Sequence, residues 1–127
     1  ITISPDNKVF CGLWAGVGFG VLNPDKKTFL RYTFQPKNRQ QDWYNDLEFD
    51  QRENLYLGFW GGPGLTLFNH NKGTFGKSLK TRFHPAFSSR LITALQLDNK
   101  GNLWMGTTDT GPHLYFPEED TAISYLS

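Results

Sequence analysis

A single cysteine, Cys11, excludes an intrachain disulfide and any metal site built on several thiolates. Its place between Phe10 and Gly12, in an apolar run, reads as a buried spectator thiol rather than a reactive one. A dominant charge is missing as well. The 13 Lys and Arg stand against 12 Asp and Glu, which leaves no global field to attract nucleic acid or an anionic membrane. No apolar run approaches the roughly 20 residues of a membrane helix, and no stretch reads as a signal peptide. The chain opens without Met on a strand-like ITIS and reads as an excised piece. His70, His84 and His113 have no close ligand spacing, so neither a metal nor another cofactor is expected. Apolar patterning at i, i+3, i+4 is nowhere sustained for the length of a helix.

What the chain does have is aromatic residues, 16% of the total, and turn formers, with 13 Gly and 7 Pro. That balance predicts short strands around a core of Phe, Tyr and Trp. The strongest phrase is DNKGNLWMGTT at 98–108, with weaker copies DQRENLYLGFW at 50–60 and DNKVFCGLW at 6–14. Aligned on Gly12, Gly58 and Gly106, four short apolar segments recur three times with a period in the forties. A strand ending in acid precedes each copy (ITISPD, NDLEFD, ITALQLD). Leu22, Phe68 and Phe116 follow at one offset, and Phe29, Phe75 and Ile123 at another. Four-stranded units at this period are the sequence form of β-propeller blades. The expected fold is all-β: three four-stranded antiparallel blades, about 1–40, 41–88 and 89–127, forming one partial propeller over 1–127. Val9–Gly12, Leu55–Gly58 and Leu103–Gly106 should be second strands, with Phe10, Tyr56 and Trp104 mostly buried. The glycine marks a turn or a neighbour too close for a Cβ.

The phrase ITALQLDNKGNLWMGTTDTGPHLYF, with its echoes, resembles the two-component-regulator propeller repeat. That pattern is a hydrophobic strand, D-x-x-G-x-L-W-I-G-T, a glycine turn and L-x-x-Y/F. The third copy matches best. Tyr56 stands for the Trp in the second, and the first has Phe10 there and lacks the Gly-Asn of the turn. The resemblance implies the periplasmic sensor region of a bacterial hybrid regulator. It further implies an oligosaccharide or other small-molecule ligand, a downstream histidine kinase, a membrane-anchored and homodimeric parent, and further blades. This segment itself is expected to be non-enzymatic and to touch neither nucleic acid nor membrane. Three blades are fewer than the four to eight that close a propeller, so a fragment of a longer sensor is expected.

In an up-and-down blade, one end collects the first-to-second and third-to-fourth turns. Here those are short and polar: DNK, DQREN, DNKGN, NPDKKT, NHNKGT and PEEDT. The other end collects LWAGVGFG, FWGGPG and TTDTGPH with the long crossings QPKNRQQDWYND and KTRFHPAFSSR. Long loops on a rigid scaffold are where binding residues concentrate. The candidate ligand-binding residues are therefore Trp14, Trp60, Trp43, Tyr44, Arg39, Arg82, Arg90 and His84, with Gln41, Asp42, Phe83 and Phe87 nearby. Flat rings beside forked Arg donors suit a sugar, especially an acidic one. Packing between blades competes with this role for Trp43 and Tyr44, and plugging of their own loop competes for Phe83 and Phe87. No catalytic residue is identified. The GVGFG at 16–20 is followed by a strand rather than by a phosphate-binding helix, and Ser88-Ser89 lacks a nucleophile context. The rival readings are a non-catalytic protein-binding scaffold and, behind it, a propeller lyase or glycosidase.

Overall fold

The structure, a computed structural model, describes residues 1–13, 18–34, 44–50, 52–60, 64–78, 92–108 and 110–125. Among them twelve strands form three four-stranded antiparallel sheets, with no helix. The first sheet holds β1 (Thr2–Ile3), β2 (Val9–Gly12), β3 (Phe19–Asn23) and β4 (Thr28–Tyr32). The second holds β5 (Tyr44–Phe49), β6 (Leu55–Phe59), β7 (Leu65–Asn69) and β8 (Thr74–Ser78). The third holds β9 (Ile92–Leu97), β10 (Leu103–Thr107), β11 (His113–Phe116) and β12 (Thr121–Ser124). Each sheet runs up and down in chain order, and β5 packs beside both β1 and β9. These are three successive blades of a β-propeller, and the second strands begin where the repeat placed them.

Because side chains alternate along a strand, each sheet has one face toward the preceding sheet and one toward the next. The first seam buries Phe10, Phe19 and Val21 of sheet one against Leu47, Phe49, Leu55, Leu57 and Phe68 of sheet two. The second buries Tyr56 and Leu65 of sheet two against Ile92, Leu95, Leu103, Met105 and Tyr115 of sheet three. The first seam is aromatic. Phe19 stacks on Tyr32 at 5.3 Å between centroids and meets Phe68 edge-on at 4.8 Å. Such ring pairs contribute beyond the area they bury.

The repeated glycine has a packing cause. A Cβ on Gly12 would sit 2.9 Å from the Tyr44 carbonyl oxygen, and one on Gly58 would sit 2.6 Å from Ile92 Cγ2. Tyr44 and Ile92 open the first strand of the next blade. The glycine is thus where the next blade approaches the second strand too closely for any side chain.

Three expectations require correction. Leu103 pairs with Tyr115 where Val9 pairs with Leu22 and Leu55 with Phe68. The residue equivalent to Leu22 and Phe68 is therefore Tyr115, not Phe116, and the partner across β12 is Ala122, not Ile123. The loop between β10 and β11 is one residue shorter than its counterparts, and a slip of one residue exchanges the faces of every side chain. Trp104 is 38% exposed, whereas Phe10 and Tyr56 are 1% and 2% exposed. All three occupy the same repeat position, but no described sheet covers the outer face of sheet three. Cys11, finally, is half-buried on the outer face of sheet one rather than buried, with its thiol toward the Gly20 carbonyl at 3.7 Å.

Candidate functional site

The two ends of the blades differ in kind. At one end the first-to-second turns are built alike in all three sheets. In the second, the Asn54 N–H donates to Asp50 Oδ1 (3.0 Å), and the Asp50 N–H donates to the Asn54 carbonyl (3.0 Å). In the third, Asn102 and Asp98 repeat both bonds, at 2.9 and 2.8 Å. In the first, Ser4 takes the place of the acid: its Oγ accepts from the Lys8 N–H (3.0 Å), and its own N–H donates to the Lys8 carbonyl (2.9 Å). The position three residues beyond the Asp or Ser is left-handed each time: Asn7 at φ 64, Glu53 at 67 and Gly101 at 82. The sequence alignment took Asp6 for the acid of the first copy, and the structure assigns that place to Ser4. Asp6 instead accepts from the Ser4 hydroxyl and pairs with Lys8 at 3.0 Å. Those two partners hold its carboxyl below the usual range.

The second carboxylate oxygen of the turn reaches the aromatic of the second strand. The Tyr56 hydroxyl donates to Asp50 Oδ2 (3.1 Å), and the Trp104 indole N–H donates to Asp98 Oδ2 (3.2 Å). Burial, reinforced by the Asp50 charge, pushes the Tyr56 phenol up. Phe10 carries no such donor, and its turn has Ser4 rather than an acid. This end is occupied with structural work. It also bears a cleft of about 240 Å³ between sheets one and two, floored by Phe10, Val21, Tyr32 and Phe68 and edged by Lys8 and Lys26. His70 borders the cleft, and its Nε2 is buried without a hydrogen-bond partner.

The opposite end carries the long loops, and their roots are ordered. The Leu13 N–H donates to the Gly18 carbonyl (3.0 Å), and the Phe59 N–H donates to the Gly64 carbonyl (3.2 Å). Gly18 and Gly64 are left-handed, at φ 93 and 72. Trp60 emerges directly after this clamp and is 38% exposed. Phe59 turns the other way into the first seam, so Trp60 lies on the side of sheet two that faces sheet three. In the third sheet the root is polar. Thr107 Oγ1 donates to the Gly111 carbonyl (2.7 Å) and lies 3.0 Å from Thr110 Oγ1. Hydrogen bonds of 2.9 Å then join Thr110 to His113 Nε2 and His113 Nδ1 to Ser124. His113 is fully buried. The sequence reading set this histidine aside, although the run of small hydroxyl residues in TTDTGPH was its signal.

Of the sequence candidates, the structure describes two. Trp60 is exposed at the loop end. Tyr44 takes the packing role weighed for it in the sequence: it is 7% exposed, with its ring 4.3 Å from Phe59 and 5.3 Å from Phe19 in the seam between blades. Trp14, Trp43, Arg39, Arg82, Arg90 and His84 lie outside the described residues, as do Gln41, Asp42, Phe83 and Phe87. Beside Tyr44, two side chains missed in the sequence hold blade to blade. Asn45 Nδ2 donates to the Ile92 and Thr93 carbonyls (3.0 and 3.1 Å), and Asp46 Oδ2 accepts from the Leu95 N–H (2.8 Å). Glu48, on the same face of β5, has its carboxyl raised, first by burial and then by the Asp46 charge. Among the described residues no three His, Cys, Asp or Glu side chains group to hold a metal ion.

This arrangement of three up-and-down blades is shared with solved extracellular domains. The chain matches the extracellular domain of a B. thetaiotaomicron protein described as a hybrid two component system, BT3049, with TM-score 0.71 and 13% identity over 99% of its length. It also matches the extracellular domain of one described as a one component system, BT4673, from the same organism, with TM-score 0.70 and 20% identity over 98% of its length. The chain spans 19% and 15% of those two chains. No protein-family model matches it, and neither does any curated protein.

Proposed function

We propose that this chain is a ligand-sensing portion of a periplasmic, membrane-anchored regulator, binding an oligosaccharide at the loop end and signalling to a downstream histidine kinase. The observation that carries this reading is Trp60. It is exposed at the loop end beside a hydrogen-bonded root, while the residues of the other end close their own turns. An indole fixed at its backbone loses little freedom on binding and offers a flat apolar face to a sugar ring. The shared architecture with extracellular domains of regulatory systems supports the same reading. In this reading further blades of a homodimeric parent complete the propeller. The ligand acts by binding two arrangements of the receptor with different affinity, which shifts their populations.

A glycan array probed with the chain tests the proposal. The strongest ligand should bind the Trp60→Ala variant about 1–3 kcal/mol more weakly, the scale of a lost aromatic contact at a binding centre. Thermal stability should be nearly unchanged. Undiminished binding by Trp60→Ala would move the site elsewhere, and absence of any glycan ligand would favour the protein-binding scaffold.

A further inference from the structure

The cleft between sheets one and two takes no part in the loop-end reading, and both of its walls belong to this chain. On sheet one, Phe10, Val21 and Leu30 pair across β2, β3 and β4 and so share the face that looks into it. Phe68 and His70 form the wall from sheet two. That wall is packed from behind: the His70 ring meets Phe10 and Phe49 edge-on, at 6.1 and 5.2 Å between centroids. Thr28 and Leu30, on the outermost strand of sheet one, are exposed and leave the cleft open to solvent.

Charge gives the cleft a polarity. Lys8 and Lys26 edge it, and no Asp or Glu is among the described residues that line it. Lys8 is held by Asp6 at 3.0 Å, whereas Lys26 makes no ion pair among the described residues. The second seam is balanced differently. There Arg52 of sheet two meets Glu118 of sheet three at 3.2 Å. Phe68 and Tyr115 are equivalent, and three residues beyond them stand Asn71 and Glu118, so sheet two brings no carboxylate to the corresponding place. His70 adds a second unmatched polar group, since its Nε2 is buried without a hydrogen bond where buried polar atoms ordinarily have one.

We propose that this cleft binds a small aryl carboxylate, its ring on Phe10, Val21 and Phe68 and its carboxylate paired with Lys26. An apolar lining with a few placed polar groups is the usual make-up of a small-molecule site. A cavity of about 150 Å³ already holds benzene. The volume of about 240 Å³ therefore takes a six-membered ring with one polar substituent. An acid on a polar ring fits less well, because Phe10, Val21 and Phe68 have no side-chain group to bond its hydroxyls. The cleft lies apart from Trp60, and the proposal stands whatever the loop end binds.

The test is an NMR titration of the full chain with benzoate, following the His70 imidazole and the Val21 and Thr28 methyls. Saturable shifts at all three are expected. Benzamide, with the ring but no charge, and glucuronate, with the charge on a polar ring, should both bind more weakly. Lys26→Glu, at an exposed position, should weaken benzoate about tenfold, the scale of one hydrogen bond to a charged group. Thr28→Trp, which fills the cleft from its open side, should abolish the shifts with the β-sheet spectrum unchanged. Trp60→Ala should bind benzoate as the unmodified chain does, which separates this site from the loop end. The absence of saturable shifts, benzamide or glucuronate bound as tightly as benzoate, full affinity in Lys26→Glu or Thr28→Trp, or binding lost in Trp60→Ala would each overturn the proposal.

Discussion

Tyr56 and Trp104 hold the same place in successive blades and donate to the same kind of turn carboxylate, yet burial gives the two bonds different weight. Tyr56 is 2% exposed and its bond to Asp50 is buried, whereas the Trp104 bond to Asp98 lies at the surface. A hydrogen bond to a charged group contributes about 1.5–3 kcal/mol, and without the Tyr56 hydroxyl Asp50 Oδ2 keeps only the Asn54 Nδ2 donor at 2.9 Å. Tyr56→Phe should therefore destabilise the chain by about 1–3 kcal/mol, and denaturant unfolding measures it. Trp104→Phe should cost less, since water can replace the indole N–H. The identity of both aromatics and the burial of Tyr56 were legible in the sequence, but the exposure of Trp104 was not. Burial depends on a neighbouring sheet, and the repeat phrase carries no record of whether one is there.

The strands were read correctly because aromatic content, Gly-bounded apolar segments and recurrence in three registered copies all point the same way at β2, β6 and β10. Register was less legible. Leu-Tyr-Phe at 114–116 offers three large apolar residues in succession, so composition alone did not distinguish Tyr115 from Phe116. Only the shorter β10–β11 loop resolves the choice, through the pairing of Leu103 with Tyr115. Likewise the motif suggested Asp6, where chain geometry selects Ser4. Two predictions belong to this scale. Gly58→Ala places its methyl against Ile92 and should destabilise by about 1–3 kcal/mol as overpacking. Gly106→Ala, which meets only the Thr93 hydroxyl at 2.9 Å, should cost less in thermal melts. On β5, the raised Glu48 carboxyl favours folding below the unfolded glutamate range, about pH 4, and that contribution is lost as pH rises through the folded value. Glu48→Gln should thus raise the melting temperature at pH 7, with the gain shrinking toward pH 4. A gain that grows on acidification would contradict this assignment.

For the whole molecule, the division of labour between the two ends is the central claim. Turn carboxylates, left-handed residues and aromatic hydroxyls close one end, while the other presents Trp60 and the ordered loop roots at Gly64 and Thr107. The sequence already sorted the loops this way, since loop length and polarity are local properties. It did not separate Tyr44 from Trp60, because both are aromatics at the margin of a blade and only the packed seam shows which one is covered. Hydrogen-exchange mass spectrometry with and without the strongest glycan-array ligand tests the division most directly. The account predicts slowed exchange at 60–64 and 107–112, with 4–8, 50–54 and 98–102 unchanged. Protection confined to those turns, or to the cleft edged by Lys8 and Lys26, would contradict it.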